Sequence, residues 1–211
     1  MTLPVQTVTV GLTGASGLVY GLRLVECLLE AHVRVGLIYT QAAQIVAKQE
    51  LDLVLPTRPH DAQHALAERF KTSTEQLSVY AREDWYAPIA SGSNPADAMV
   101  ICPCSMGTLA AVAGGLADNL IERAADVALK ERRPLILVPR ETPLSLLHLE
   151  NMTRLARAGA IVLPANPGFY HRPQSVEALV DYVVARILDH LHIPHTLMKR
   201  WGGDAIAPIS E

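Results

Sequence analysis

Apolar residues occur along the chain either in short continuous runs or at helical spacing, and the two patterns alternate. The continuous runs are rich in β-branched residues and predict buried strands. These runs are Val5–Leu12, Val33–Tyr39, Ala98–Cys102, Leu135–Val138 and Ile161–Leu163. The helical spacing predicts helices at Leu18–Glu30, at about Gln41–Glu50, after a capping Ser105, at Leu120–Arg132, and from a capping Ser175 to about His190.

Prolines and capping residues set two further boundaries. We expect Pro103 to stop the third strand, because proline cannot donate to a sheet ladder. We expect Thr142–Pro143 to open a helix, because a capping hydroxyl precedes proline at the first helical position. Two segments are less regular: Leu51–Arg69 holds prolines followed by polar helical sequence, and Val79–Ser93 is too poorly patterned to predict an element.

Strands that alternate with helices predict right-handed crossovers. We therefore expect an α/β fold with three layers, a Rossmann-like (flavodoxin-like), mostly parallel sheet with helices on both faces. The composition agrees, since 50% of the residues are hydrophobic but only 5% are aromatic. With no internal repeat or composition break, we expect one domain over residues 1–211, with an irregular tail from about 191. Three histidines in that region, His190, His192 and His195, are interpreted as part of a polar tail.

Charge and motif content exclude several classes of protein. A net charge of −3 gives no reason to expect nucleic acid or a membrane surface as partner. No apolar run is long enough to span a bilayer, and Met1–Pro4 lacks the features of a signal peptide, so we expect a cytoplasmic protein. Cys27, Cys102 and Cys104 are interpreted as buried structural thiols. The histidines show no metal-ligand spacing, so no metal is expected.

The candidate chemistry lies just after the strands, where ligands bind in open parallel sheets. Gly11, Gly14 and Gly17 follow the first strand with the spacing G-x-x-G-x-x-G rather than the dinucleotide pattern. The second strand ends in Tyr39–Thr40, without the acidic residue of a dinucleotide site. We therefore predict a site for a phosphorylated mononucleotide. The N–H groups of the next helix are expected to be free for the ligand, and the Thr40 hydroxyl is a candidate hydrogen-bond donor to its phosphate.

A second loop, Pro103–Thr108, brings two hydroxyls and several N–H groups to a helix start and predicts a phosphate cradle. A third, Pro139–Pro143, holds Arg140 and Glu141, and arginine suits bidentate phosphate contacts. Arg123 and Lys130 lie seven residues apart on one predicted helix face, which by itself is typical of a solvated surface. Tyr170 and Arg186 suit a second anion site or ordinary packing and surface charge equally well.

Six stretches resemble the UbiX/Pad family of flavin prenyltransferases. They are Thr13–Gly17, Cys102–Thr108, Asn119–Asp126, Leu129–Pro134, Pro139–Leu144 and Gly168–Ser175, and the resemblance extends from about Val8 to Trp201. One departure is visible, since Thr40–Gln41 stands where the family usually has Ser-Lys.

The resemblance implies a reaction. Such enzymes transfer a dimethylallyl group from dimethylallyl monophosphate to N5 and C6 of reduced FMN, without a metal. The product is prenylated FMN, which UbiD-type decarboxylases use as their cofactor. The family also implies a homo-oligomer, commonly a homododecamer.

The resemblance also assigns roles to residues. The expected FMN ligands are Gly14, Ala15, Ser16, Thr40, Ser105, Met106, Gly107, Thr108 and Arg140. The expected allyl-phosphate ligands are Lys130, Tyr170 and Arg186, with help from Arg123 and Arg140. Ser16 and Glu50 form the implied proton-relay pair, and Glu141 orients the cations or moves a proton. Trp85, Tyr170 and Trp201 are candidates for the wall of the prenyl site.

Two other functions are considered. An FMN-dependent cysteine decarboxylase of the same fold would carry an early catalytic histidine and a Pro-x-Met-Asn motif, and this chain has Pro164–Tyr170 in that region instead. A non-catalytic FMN-binding protein would have no use for Lys130, Glu141, Tyr170 and Arg186 together. All four are present, which favours catalysis.

Overall fold

A computed structural model describes residues 5–198 of the chain, and these contain one six-stranded sheet. All strand pairs are parallel, in the order β3-β2-β1-β4-β5-β6. The strands are β1 (Thr7–Leu12), β2 (Arg34–Tyr39), β3 (Leu77–Tyr80), β4 (Ala98–Cys104), β5 (Leu135–Pro139) and β6 (Ile161–Val162). The predicted fold class is therefore confirmed.

In the described part of the chain six α-helices connect these strands, and a seventh follows β6. They are α1 (Leu18–Glu30), α2 (Gln41–Leu51), α3 (Pro59–Phe70), α4 (Met106–Gly114), α5 (Leu120–Lys130), α6 (Leu146–Arg157) and α7 (Val176–His190). One apolar cluster packs α1, α2, α3 and α7 against one sheet face, and a second packs α4, α5 and α6 against the other. Within residues 5–198, no helix combines the length and apolar character needed to cross a bilayer.

Two predicted boundaries were wrong, and one strand was missed. Strand β4 continues through Pro103 to Cys104, because the ladder to β5 shifts register between Ile101 and Cys104, where a proline is tolerated. Helix α6 begins at Leu146 rather than after Thr142–Pro143, because Ser145 forms a capping box with His148. Strand β3 was missed because it is a four-residue edge strand.

The order of the strands fixes where ligands can bind. The chain leaves β1 to form β2 and β3 on one side, then returns beside β1 to form β4, β5 and β6 on the other. The crevice at such a reversal lies at the carboxyl ends of β1 and β4. The loops that start at Thr13 and Ser105 follow these two strands directly.

Candidate functional site

The glycine loop after β1 is shaped by close contact with its neighbours. A Cβ atom on Gly14 would lie 2.4 Å from the Cβ atom of Ala42 in α2, so only glycine allows this approach. Gly17 has a φ of 99°, in the left-handed region that favours glycine. The motif is therefore required first by packing and turn geometry, and it leaves Ser16 exposed at the carboxyl edge of the sheet.

Glu50, at the end of α2, caps the start of α1. Both of its carboxylate oxygens lie 3.0 Å from the Gly17 nitrogen, and Oε2 is also 3.0 Å from the Leu18 nitrogen. A carboxylate is stabilised there by the helix dipole and by free N–H groups. The expectation that these N–H groups are open to a phosphate was wrong, because Glu50 already accepts from them. The contact joins Glu50 to the two residues that directly follow Ser16.

The second loop offers an open cradle at the start of α4. Ser105 Oγ accepts from the Thr108 nitrogen at 3.3 Å and donates to Thr108 Oγ1 at 3.1 Å. Within residues 5–198 no group accepts from the nitrogens of Met106 or Gly107. A Cβ atom on Gly107 would meet no atom within 4 Å. Free N–H groups that face open space at a helix start suit a phosphate.

Thr13 joins the two loops, a role that the sequence pattern does not reveal. Its hydroxyl donates to the Pro103 carbonyl at 2.8 Å and accepts from the Ser105 nitrogen at 2.8 Å. The residue is fully buried, so both hydrogen bonds are shielded from water. Thr13 therefore fixes the phosphate cradle relative to the glycine loop.

Thr40 and Arg140 complete this edge. Thr40 Oγ1 caps α2 by accepting from the Ala43 nitrogen at 3.1 Å, which leaves its hydroxyl hydrogen to donate. Arg140 follows β5 and reaches across the edge, where its Nε donates to the Ser16 carbonyl at 3.2 Å. No residue of the described chain hydrogen-bonds its two terminal nitrogens. Glu141 accepts from the Thr142 nitrogen at 3.2 Å and is exposed.

Two buried cysteines and one tyrosine border the site. Burial raises the pKa of Cys102 and Cys104, the latter to about 12, and both are free and buried, as the sequence predicts. Tyr20, which sequence analysis missed, packs its ring against Gly17. Burial raises its pKa and the nearby Cys102 adds to the shift, while the Arg140 charge opposes it.

Lys130 does not join the other residues within one chain, and Arg123 is hydrogen-bonded to other groups. Arg123, in the first turn of α5, donates to the Ala90 carbonyl at 2.9 Å and to Asp126 at 2.8 Å. Lys130 ends the same helix, pairs with Glu131 and lies against Gly92. Since α5 runs from the carboxyl edge to the amino edge of the sheet, it carries Lys130 about 15 Å away from its start. Lys130 therefore lies at the opposite edge from Ser16.

The remaining predicted residues lie on the surface or outside the described chain. Tyr170 is 86% exposed, and the Arg186 side chain, late in α7, is half-exposed and pairs with Asp189 at 2.7 Å. Trp85 is also about half-exposed. Trp201 lies outside residues 5–198.

The structure defines an α/β protein with a six-stranded parallel sheet and, at the carboxyl edge of that sheet, an open helix start that suits a phosphate. The Flavoprotein family model matches residues 2–188. The chain belongs to this family and, within it, to the UbiX-type flavin prenyltransferases, which confirms the resemblance seen in the sequence.

Known relatives cover almost the whole chain. The flavin prenyltransferase UbiX of Pseudomonas aeruginosa is 56% identical over 93% of this chain and 94% of its own length. A crystal structure of AnUbiX (PadA1) in complex with FMN and dimethylallyl pyrophosphate has a TM-score of 0.84, with 40% identity over 95% of this chain and 99% of that one. A dodecameric FMN-dependent UbiX-like decarboxylase from Escherichia coli O157:H7 has a TM-score of 0.82, with 39% identity over 93% of this chain and 100% of that one.

Proposed function

We propose that this chain is a flavin prenyltransferase that transfers a dimethylallyl group from dimethylallyl monophosphate to N5 and C6 of reduced FMN. The allylic C–O bond breaks and phosphate leaves, while new bonds form to N5 and C6. One of the two displaced protons leaves with phosphate and the other goes to the former alkene carbon, so the flavin gains one C₅H₈ unit. Prenylated FMN would then serve a UbiD-type decarboxylase.

The observation that carries this proposal is the convergence of Ser16, Glu50 and Arg140 beside an open phosphate cradle. The residues fit FMN, because Ser105 and Thr108 flank unpaired N–H groups where Gly107 leaves space. Gly14, Ala15, Thr40 and Met106 would line the rest of the flavin site. Bound there, FMN supplies the nucleophilic nitrogen and carbon.

We propose that Ser16 and Glu50 relay the proton, since Glu50 accepts from the Gly17 and Leu18 nitrogens directly after Ser16. The terminal nitrogens of Arg140 would hold the allyl phosphate, and Glu141 would orient the cations around it. Positive side chains at the leaving phosphate stabilise the charge that develops when the C–O bond breaks. No metal is needed for this step.

A second copy of the chain would complete the site. Lys130 lies at the far end of α5 from the carboxyl edge, Arg123 is paired with Asp126, and Tyr170 and Arg186 are on the surface. Large apolar side chains are exposed nearby, with Leu146 and Leu147 each 70% exposed and Phe169 67% exposed. We propose a cytoplasmic homo-oligomer, as in the dodecameric relative, in which a neighbour's α5 supplies Lys130.

Mass spectrometry tests the proposed function directly. The purified protein is mixed with FMN and dimethylallyl monophosphate, reduced anaerobically without added metal, and the flavin is analysed. We expect a flavin that is heavier by one C₅H₈ unit. Unmodified FMN that co-purifies with the protein would contradict the proposal and favour a decarboxylase or a binding protein instead.

A further inference from the structure

The segment after α7 packs against the core, whereas its histidines predicted a polar tail. Leu191 and Ile193 are 1% and 6% exposed and join the apolar cluster formed by α1 and α7. The Ile193 nitrogen donates to the Leu188 carbonyl at 3.0 Å, so the chain turns back along the helix. His195 is thereby brought against α7, with only 9% of its side chain exposed.

His195 is connected to Arg186 through a single carboxylate. Its Nε2 lies 3.2 Å from Asp189 Oδ1, while the other oxygen, Oδ2, accepts from Arg186 Nη1 at 2.7 Å. Within residues 5–198, His195 and Arg186 are the only groups that bond this carboxylate. Each partner therefore fixes one oxygen, and together they fix the rotamer of Asp189.

The opposite nitrogen of His195 has no such bond. Nδ1 is buried and no group in residues 5–198 hydrogen-bonds it. Burying an unpaired polar atom costs stability, so a histidine is poorly suited to this position as mere packing. A residue that only filled the space would better be apolar, as Leu191 and Ile193 are.

The neighbouring charged side chains on α1 and α7 form ion pairs of their own. Arg23 on α1 pairs with Asp181 at 2.8 Å and with Glu26 at 2.6 Å. Asp181 lies on α7 about two turns before Asp189. Arg186 uses Nη1 on Asp189, which leaves its Nε and Nη2 donors available for a phosphate. An arginine held in this way loses less rotamer freedom when it binds an anion.

We propose that His195 is a positioning residue: through Asp189 it holds Arg186 in the orientation that binds the phosphate of the allyl substrate. The inference rests on the proposed function, because it takes Arg186 as a ligand of that phosphate. It adds the two residues that align this ligand, neither of which touches the substrate itself.

Three variants test this role: His195→Leu removes the donor to Asp189, His195→Gln keeps an N–H donor, and Asp189→Asn weakens the hold on Arg186. For His195→Leu and Asp189→Asn we expect a rise on the order of tenfold in the KM for dimethylallyl monophosphate. The kcat and the affinity for FMN should change little. His195→Gln should restore most of the wild-type KM, which a purely structural role for the ring would not explain.

Calorimetric titration of dimethylallyl monophosphate into the FMN-loaded protein gives a second measurement that does not need turnover. If the wild type binds the phosphate but forms no prenylated FMN, the proposed function fails, and the affinity of His195→Leu still decides the role of His195. A melting temperature that falls in His195→Leu while KM and affinity stay at the wild-type values would overturn the inference. A wild type that does not bind the ligand would overturn both.

Discussion

The variant Gly107→Ala tests whether the start of α4 binds the FMN phosphate. A Cβ atom there would meet nothing in the protein, and the position is helical, so Gly107→Ala should raise the free energy of unfolding by about 0.5–1 kcal/mol. The same methyl group would occupy space beside the free N–H groups. We therefore expect FMN affinity to fall on the order of tenfold, measured by fluorescence titration.

Gly114→Ala is the matched control for this prediction. Gly114 ends the same helix, and its added Cβ would make only an ordinary contact of 3.7 Å with Leu116. This variant should be as stable as, or more stable than, the wild type and should bind FMN unchanged. Equal FMN affinities in the two variants would mean that the phosphate does not lie at the start of α4.

Single residues also show what sequence can predict about the site. The spacing of Gly14 and Gly17 predicted the tight turn after β1, because turn glycines are a local property of the chain. The partner that requires Gly14, Ala42, comes from another helix, and so does the Glu50 carboxylate that caps α1. Thr13 went unrecognised for the same reason, since its partners Pro103 and Ser105 come from another strand and loop. His195 went unrecognised because its burial depends on the chain turning back along α7, which the histidine pattern does not reveal.

Asp97 joins the start of β4 to the start of β1, and its removal tests how much this connection stabilises the sheet. Its carboxylate accepts from the nitrogens of Gln6 and Thr7, each at 3.0 Å, and from the Thr7 hydroxyl at 2.9 Å, which ties the start of β4 to that of β1. Burial raises the pKa of Asp97, but these hydrogen bonds and the Arg133 charge outweigh it, so the net pKa is lowered. Asp97→Ala should therefore lower the free energy of unfolding by about 2 kcal/mol at neutral pH.

The sign of the pH dependence follows from the lowered pKa. The stabilisation is present above the pKa of the unfolded state and is lost as pH falls through the pKa of the folded state. The difference between wild type and Asp97→Ala, measured by chemical denaturation over a pH series, should shrink in acid. Glu75→Ala, at an exposed carboxylate without a hydrogen bond in residues 5–198, should show neither effect. A constant difference across the pH series would contradict the explanation.

Sequence patterns predicted the elements better than their ends. Strong local signals, such as the Ser175 hydroxyl that caps α7, held in the structure. The start of α6 was misplaced because Thr142–Pro143 and Ser145 are both plausible caps, and the capping box with His148 decides between them. Strand β3 forms because its partner β2 is there to pair with, which a four-residue pattern cannot reveal.

At the scale of the whole molecule, the position of Lys130 requires an explanation. The residue lies at the amino edge of the sheet, whereas Ser16, Glu50 and Arg140 lie at the carboxyl edge. Lys130→Ala should abolish prenyl transfer and leave FMN bound, because the lysine is proposed to bind the allyl phosphate in a neighbour's site and not the flavin. Activity assays and the flavin content of the purified variant check both parts of this prediction.

Mixed oligomers reveal which copy supplies the lysine. When Lys130→Ala and Ser16→Ala chains are co-expressed, a site made from two chains can combine an intact Ser16 edge with an intact Lys130, so about a quarter of wild-type activity should return. Ser16→Ala mixed with Glu50→Gln is the control, because Glu50 bonds the loop of its own chain and no site regains both groups. If the first mixture stays as inactive as the control, Lys130 does not act on a neighbour's site, and the oligomer has some purpose other than completing it.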